Sequence, residues 1–258
     1  MNPLVETFQH GDIREIRMAR PPVNALDTAL CRALIDALAT AIGDDVHGIV
    51  LSGGERVFSG GLDVPFLLSH GDDRAALLDS WNAFFGVARA LAESRVPVAA
   101  AITGHAPAGG CVMALCCDYR VMARSADPAR PFAIGLNETQ VGLVAPDGIQ
   151  QLMRRVVGPH RAELLLVSGA LVPAERAFEI GMVDELADAI DVVPRAIAWL
   201  QSLLKLPQQP MLQTRTLARA DVVEALQPEN IQLERFIESW HSPDTQAALQ
   251  AMVARLKK

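Results

Sequence analysis

Two pairs of adjacent glycines, Gly60-Gly61 and Gly109-Gly110, and one glutamate, Glu138, have the types and settings to do chemistry together. The turn Gly104-His105-Ala106-Pro107-Ala108-Gly109-Gly110-Cys111 lies between apolar runs at residues 96–102 and 111–117. This pattern predicts a buried strand, a tight turn and a buried helix. Paired glycines admit another backbone or a ligand, and the first amides of a helix have no internal partner. Gly109 and Gly110 can therefore offer N–H groups to an oxygen that becomes negative. Two convergent N–H groups from two such loops would make an oxyanion hole. Glu138 lies between apolar residues at 132–136 and 141–144, which predicts burial. A buried carboxyl has a raised pKa, which suits a base that must also return its proton. Blander readings stand beside these: a glycine turn chosen for packing, and a solvated loop glutamate. A phosphate loop is set aside, because Cys111 and Val112 stand where Lys and Ser/Thr would follow.

The elements that must position these residues follow from periodicity. Residues 4–8 and 13–18 alternate around His10-Gly11-Asp12, predicting a hairpin. The two prolines of residues 20–26 predict a loop. Asp27 is placed as the cap of a helix to about Ile42, with Leu30, Leu34 and Leu38 on one face and Gly43 ending it. Buried strands are expected at 46–51, 96–102, 119–123 and 132–134. A helix at about 73–93 carries Trp81, Phe84 and Phe85, which read as core or as pocket wall. Residues 125–131 form a loop. Beyond Asp147 the chain turns helical, broken at Gly158-Pro159, Gly169 and Gly181, with a short strand at 182–186. Helices follow at about 192–204, 212–225, 228–239 and 243–256, and Pro207-Gln208-Gln209-Pro210 reads as the clearest linker. Strands alternating with helices give an α/β fold, with an α/β core over residues 1–190 and a helical region over 191–258.

The 258 residues are half hydrophobic and carry a net charge of −7 with both signs interspersed. No basic block points to nucleic acid or an anionic membrane, and no apolar run reaches the roughly 18 residues of a membrane helix. Residues 1–10 have neither signal-peptide nor transit-peptide character, so the expected location is cytoplasmic. Cys31, Cys111, Cys116 and Cys117 read as reduced, buried small side chains, three of them in one helix. No metal site or dinucleotide loop is expected.

The joined motifs Phe58-Ser59-Gly60-Gly61-Leu62-Asp63-Val64, residues 104–117 and Asp118-Tyr119-Arg120 resemble the crotonase (enoyl-CoA hydratase/isomerase) superfamily. Pro107-Ala108-Gly109-Gly110-Cys111 with Ile134-Gly135-Leu136-Asn137-Glu138-Thr139-Gln140 is most similar to its mitochondrial-type 3,2-trans-enoyl-CoA isomerase branch. The resemblance spans about residues 20–187. It implies a crotonase-like (ClpP/crotonase) spiral of β-β-α units whose helical tail covers the site and builds a homotrimer or a dimer of trimers. The implied substrate is an acyl-CoA thioester of fatty-acid beta-oxidation. No cofactor is implied, coenzyme A being part of the substrate. The implied oxyanion donors are the Leu62 and Gly109 N–H groups, and Glu138 is the implied base. The groove for coenzyme A would involve Val23, Ala25, Ser59, Gly61, Leu62, Asp63, Val64 and Gly109. Lys257 or Lys258 can meet a phosphate, though a terminal lysine pair is usually solvated. Asp118 and Arg120 are expected to pair with each other, and at His105 the backbone is expected to matter more than the ring.

Hydratases of this superfamily use two glutamates, and the position of the first falls here on Val112. Valine neither transfers a proton nor holds water, so one carboxyl remains. That implies an isomerase moving a double bond from 3-enoyl-CoA to trans-2-enoyl-CoA. The alternatives are an enoyl-CoA hydratase or other acyl-CoA enzyme of the same fold, and a non-catalytic acyl-CoA binding protein.

Overall fold

The computed structural model describes residues 3–256, so Lys257 and Lys258 lie outside the described residues. The expected hairpin is present as β1 (Val5–His10) and β2 (Ile13–Met18). Asp27 caps α1 (Thr28–Gly43), its carboxylate accepting from Leu30 N at 2.8 Å. The left-handed residue past that helix is Asp45, not Gly43, which stays within the last turn. β3 (Gly48–Ser52), α2 (Val64–Leu68), α3 (Arg74–Ala92), β4 (Val98–Ile102), β5 (Ala106–Pro107) and α4 (Gly109–Leu115) come next. Cys116 caps α4 and Cys117 lies just past it, so only Cys111 is inside the helix; all four cysteines are free and buried.

β6 (Tyr119–Ala123), β7 (Ala133–Gly135), α5 (Asp147–Val157), α6 (Pro159–Ser168), β8 (Val172–Pro173), α7 (Ala174–Glu179) and β9 (Glu185–Ala187) complete the strands. The main sheet runs β1-β2-β3-β4-β6-β9, parallel except for the β1/β2 hairpin, and β5-β7-β8 form a small second sheet. A repeated unit emerges: a long strand in the main sheet, a short strand in the second, then a helix. β4-β5-α4 and β6-β7-α5 each make one such unit. β3 and β4 are buried along their whole length, as parallel strands covered on both faces must be, which is why they read as unbroken apolar runs.

The rest is helical: α8 (Val192–Leu204), α9 (Gln208–Ala218), α10 (Ala220–Ala225), α11 (Pro228–Ile231), α12 (Leu233–Trp240) and α13 (Pro243–Leu256). α8 packs on the main sheet, its Leu200 lying 3.3 Å from where a Cβ on Gly48 would stand. The sheet layer thus takes in a helix beyond residue 190. Pro207–Pro210 is not a linker, because α9 begins at Gln208. Pro210 falls in the first turn, where amides lack helical partners anyway. The helix expected over 228–239 is divided at Gln232, which adopts φ +47°.

Asp118 and Arg120 do not pair. Arg120 binds Asp184 at 2.8 Å. Asp118 accepts from Val98 N at 2.8 Å, from two guanidinium nitrogens of Arg215 at 2.8 Å each, and meets Arg219 at 3.2 Å. Arg215 also donates to Ser94 O and Arg219 to Cys116 O, both at 2.6 Å. The partners come from a helical segment about a hundred residues away, beyond the reach of local spacing. This buried cluster fastens α9 and α10 to the far end of α4. Breaking a buried ion pair by removing one partner costs about 3–5 kcal/mol. Asp118→Ala should therefore lower unfolding stability by that much, and urea titration of the variant measures it.

Candidate active site

The second sheet and three loops bring the two glycine turns together. Loop 20–26 is zipped to loop 58–63: Gly60 N donates to Val23 O (2.7 Å), Leu26 N to Gly61 O (2.8 Å) and Asp63 N to Leu26 O (3.0 Å). The buried Asn24 side chain donates to Phe58 O at 3.0 Å. Phe58 N then donates to His105 O at 2.9 Å, tying this loop to the second turn. His105 is held by both parts: its carbonyl accepts from Phe58 N, and its exposed ring accepts from Ala133 N at 3.1 Å.

The turns meet at Gly61. A Cβ there would stand 3.2 Å from Ala108 Cβ, 3.2 Å from Pro107 O and 3.4 Å from Gly109 N. Gly61 also has φ +85°, which favours glycine. A Cβ on Gly109 would lie 3.0 Å from Leu26 Cδ1 and 3.1 Å from Phe84 Cε2, and one on Gly110 only 2.7 Å from Ser59 O. Ala108, just before Gly109, has φ +46° and ψ −115°, a strained conformation for a residue with a side chain. Among the described residues, the N–H groups of Leu62 and Gly109 find no acceptor.

Glu138 reaches the same place through β7. Ala106 pairs with Ile134 and Pro107 with Gly135, and Ala108 N donates to Gly135 O at 2.8 Å. The chain then turns into a short 3-10 helix, Glu138–Val141. Leu62, Gly109 and Glu138 all line one apolar cavity of about 120 Å³. Val112 stands in its wall, and so do Trp81, Phe84 and Phe85, which are both core and pocket. Among the described lining residues Glu138 is the only ionisable one. Its Oε2 is buried with no hydrogen-bond partner among the described residues, and so are Trp81 Nε1 and Asn137 Oδ1 on the same cavity. Unpartnered polar atoms are rare in native interiors, and three of them lie on this one apolar wall.

Not every expected residue faces this cavity. Ser59 is fully buried; its hydroxyl donates to Asn24 O (2.8 Å) and accepts from Gly61 N (3.2 Å), so it holds the loop and does not line the groove. Asp63 caps α2 through Phe66 N and pairs with Arg20 at 2.7 Å. Val23 is exposed at the loop tip, and Ala25 O accepts from Arg20 at 2.9 Å. Gly61 and Val64 flank the turn, Val64 in the cavity wall. Phe236, Trp240 and Met252 from the tail also line the cavity. As separate residues they were not singled out; the spacing of Phe236 and Trp240 on one helical face was the available signal.

A sheet built from β-β-α units, with two backbone turns and one carboxyl converging on an apolar cavity, defines an enzyme of the crotonase fold. The comparisons make this specific: a profile of the enoyl-CoA hydratase/isomerase family matches residues 9–257, and the chain belongs to that family. It is 30% identical to human mitochondrial enoyl-CoA delta isomerase 1, covering 99% of this chain and 83% of the relative. It is 33% identical to a probable enoyl-CoA hydratase, EchA17, of Mycobacterium tuberculosis, covering 88% and 84%. The crystal structure of human mitochondrial delta3-delta2-enoyl-CoA isomerase superposes with a TM-score of 0.90 at 28% identity, covering 98% of both chains.

Burial raises the Glu138 carboxyl from 4.5 to about 7. The fold favours its protonated form, so the native chain holds a proton that the unfolded chain releases. That stability is complete below pH 4.5 and is lost as pH rises to about 7, in total about 3 kcal/mol. Glu138→Gln should abolish this dependence. In urea titrations its advantage over the native protein should widen by about 3 kcal/mol from the lower of these pH values to the higher.

Proposed function

We propose that this chain is an isomerase that converts 3-enoyl-CoA to trans-2-enoyl-CoA. The observation that carries the reading is the single carboxyl among the cavity's described lining residues, with Val112 one helical turn past Gly109. Addition of water needs groups to hold and activate it, and this wall supplies one acid among apolar side chains. A double-bond shift needs one base that takes a proton and gives it back. The names of the relatives divide between isomerase and hydratase, and this feature favours the first.

In the proposed reaction the thioester oxygen accepts from Leu62 N–H and Gly109 N–H. The Glu138 carboxylate removes a proton from C2. The C–H electron pair forms a C1=C2 bond, and the carbonyl pair moves onto oxygen, giving a dienolate. The protonated Glu138 then delivers its proton to C4. The C3=C4 pair makes that bond, the C1=C2 pair becomes C2=C3, and the carbonyl reforms. Atoms and charge balance without water or a cofactor. One oxyanion donor is typically worth about 10²–10³ in rate, and general-base catalysis about 10²–10⁴. A base whose pKa is near 7 takes and returns a proton with little penalty either way. The pantetheine and adenine would lie along the loop of Val23 and Ala25, beside Leu62 and Asp63. We also propose a homotrimer or a dimer of trimers, supported by apolar side chains left exposed at Leu164, Val167, Phe178 and Ile190.

Glu138→Gln should reduce isomerisation of 3-hexenoyl-CoA by at least about 10²-fold while binding survives. In the native enzyme kcat/KM should rise with pH through a single ionisation near 7, because the carboxylate is the active form. Mass spectrometry separates the readings, since isomerisation leaves mass unchanged and hydration adds a water. Faster hydration of 2-hexenoyl-CoA than isomerisation of 3-hexenoyl-CoA by the native protein would make it a hydratase.

Light scattering at micromolar concentration tests the assembly. A mass of three or six chains is the expected result, and a monomer rules the trimer out.

A further inference from the structure

The site cavity shares two of its lining residues with a neighbouring space. Phe236 and Pro146 line both the site cavity of about 120 Å³ and a second cavity of about 370 Å³ on the far side. The second cavity is lined by Gln150, Ile231, Gln232 and Arg235, among others, so it is wetter than the first. Phe236 is 7% exposed and packs edge-on against Trp81 with ring centroids 4.5 Å apart. Its helix, α12, enters from Gln232 in the left-handed region, which fixes where the ring projects. Pro146 belongs to the backbone between Glu138 and α5 and offers little to move. Phe236 is the side chain whose removal would join the two spaces.

We infer that Phe236 is a specificity-determining residue that stops the acyl chain at about five carbons, so that chains longer than hexanoyl gain nothing from the cavity. An apolar cavity of about 150 Å³ takes a benzene ring, six carbon atoms. By that measure 120 Å³ accommodates roughly five carbons. Leu62 and Gly109 line the cavity, so the count includes the thioester carbon. Carbons C1 to C4 are used by the reaction geometry, which leaves about one beyond the shifting double bond. A longer chain meets the Phe236 ring or stays outside.

The kinetic consequence rests on the isomerase reading; the binding consequence rests on the cavity alone. Two experiments therefore run together. The first titrates hexanoyl-, octanoyl- and decanoyl-CoA, which cannot isomerise, into the native protein and into Phe236→Ala and Phe236→Leu by calorimetry. Each newly buried methylene normally tightens binding about fourfold. In the native protein that gain should cease beyond hexanoyl. In Phe236→Ala it should resume, shifting the decanoyl-to-hexanoyl affinity ratio by at least about tenfold, with Phe236→Leu in between. The milder variant keeps the test decisive if alanine disturbs folding. The second experiment measures kcat/KM for 3-hexenoyl- and 3-decenoyl-CoA, with the same change in ratio expected. Affinity that keeps rising to decanoyl in the native protein, or ratios unmoved in folded variants, overturns the inference. The expected binding pattern without turnover overturns the isomerase reading and leaves the end wall standing. Turnover with no break in chain length does the reverse.

Discussion

The site depends on one close approach: the backbone at Gly61 against the backbone at Ala108 and Gly109. In the proposed reaction the contribution of these turns comes from main-chain N–H groups. Those groups converge only if the chains come closer than a Cβ allows. A Cβ would stand 3.2 Å from Pro107 O at Gly61 and 2.7 Å from Ser59 O at Gly110, so the two turns pack backbone against backbone. Everything nearby serves this contact. The buried Asn24 and Ser59 side chains tie the first loop down, and β5 and β7 hold the second. The strained Ala108 shows that the geometry is imposed by its surroundings and is not a local preference.

A second tension runs through Glu138. A carboxyl in an apolar wall is unfavourable for folding when charged, and the proposed chemistry needs it charged before each turnover. Both statements follow from its raised pKa of about 7, near which protonated and ionised forms coexist. The surrounding apolar groups thus do two things at once. They make the cavity apolar, and they raise the pKa of the one acid among its described lining residues.

Much of this was legible in the sequence because its causes are local. Asp27 caps a helix through its own carboxylate. The buried strands β3 and β4 announce themselves by unbroken apolar runs. The glycine turns and Glu138 stood out because their neighbours dictate burial. What escaped depended on distant partners. The acid that binds Arg120 is Asp184, and the bases that bind Asp118 are Arg215 and Arg219. Prolines at 207 and 210 read as a linker because composition does not distinguish a helix's first turn from a loop. Phe236 and Trp240 were not singled out, because their place on the cavity depends on how the tail folds over it.

That tail has a consequence for how the protein is made. Chains are synthesised from the N-terminus, and folding begins while synthesis continues. The glycine turns and Glu138 leave the ribosome well before α12 and α13, which supply Phe236, Trp240 and Met252. Until those helices are made, Trp81 lacks the rings of Phe236 and Trp240 that pack against it, and the cavity lacks part of its wall. The strands of both sheets are thus complete in sequence before the wall of the site is. On the proposed reading, activity waits for those helices.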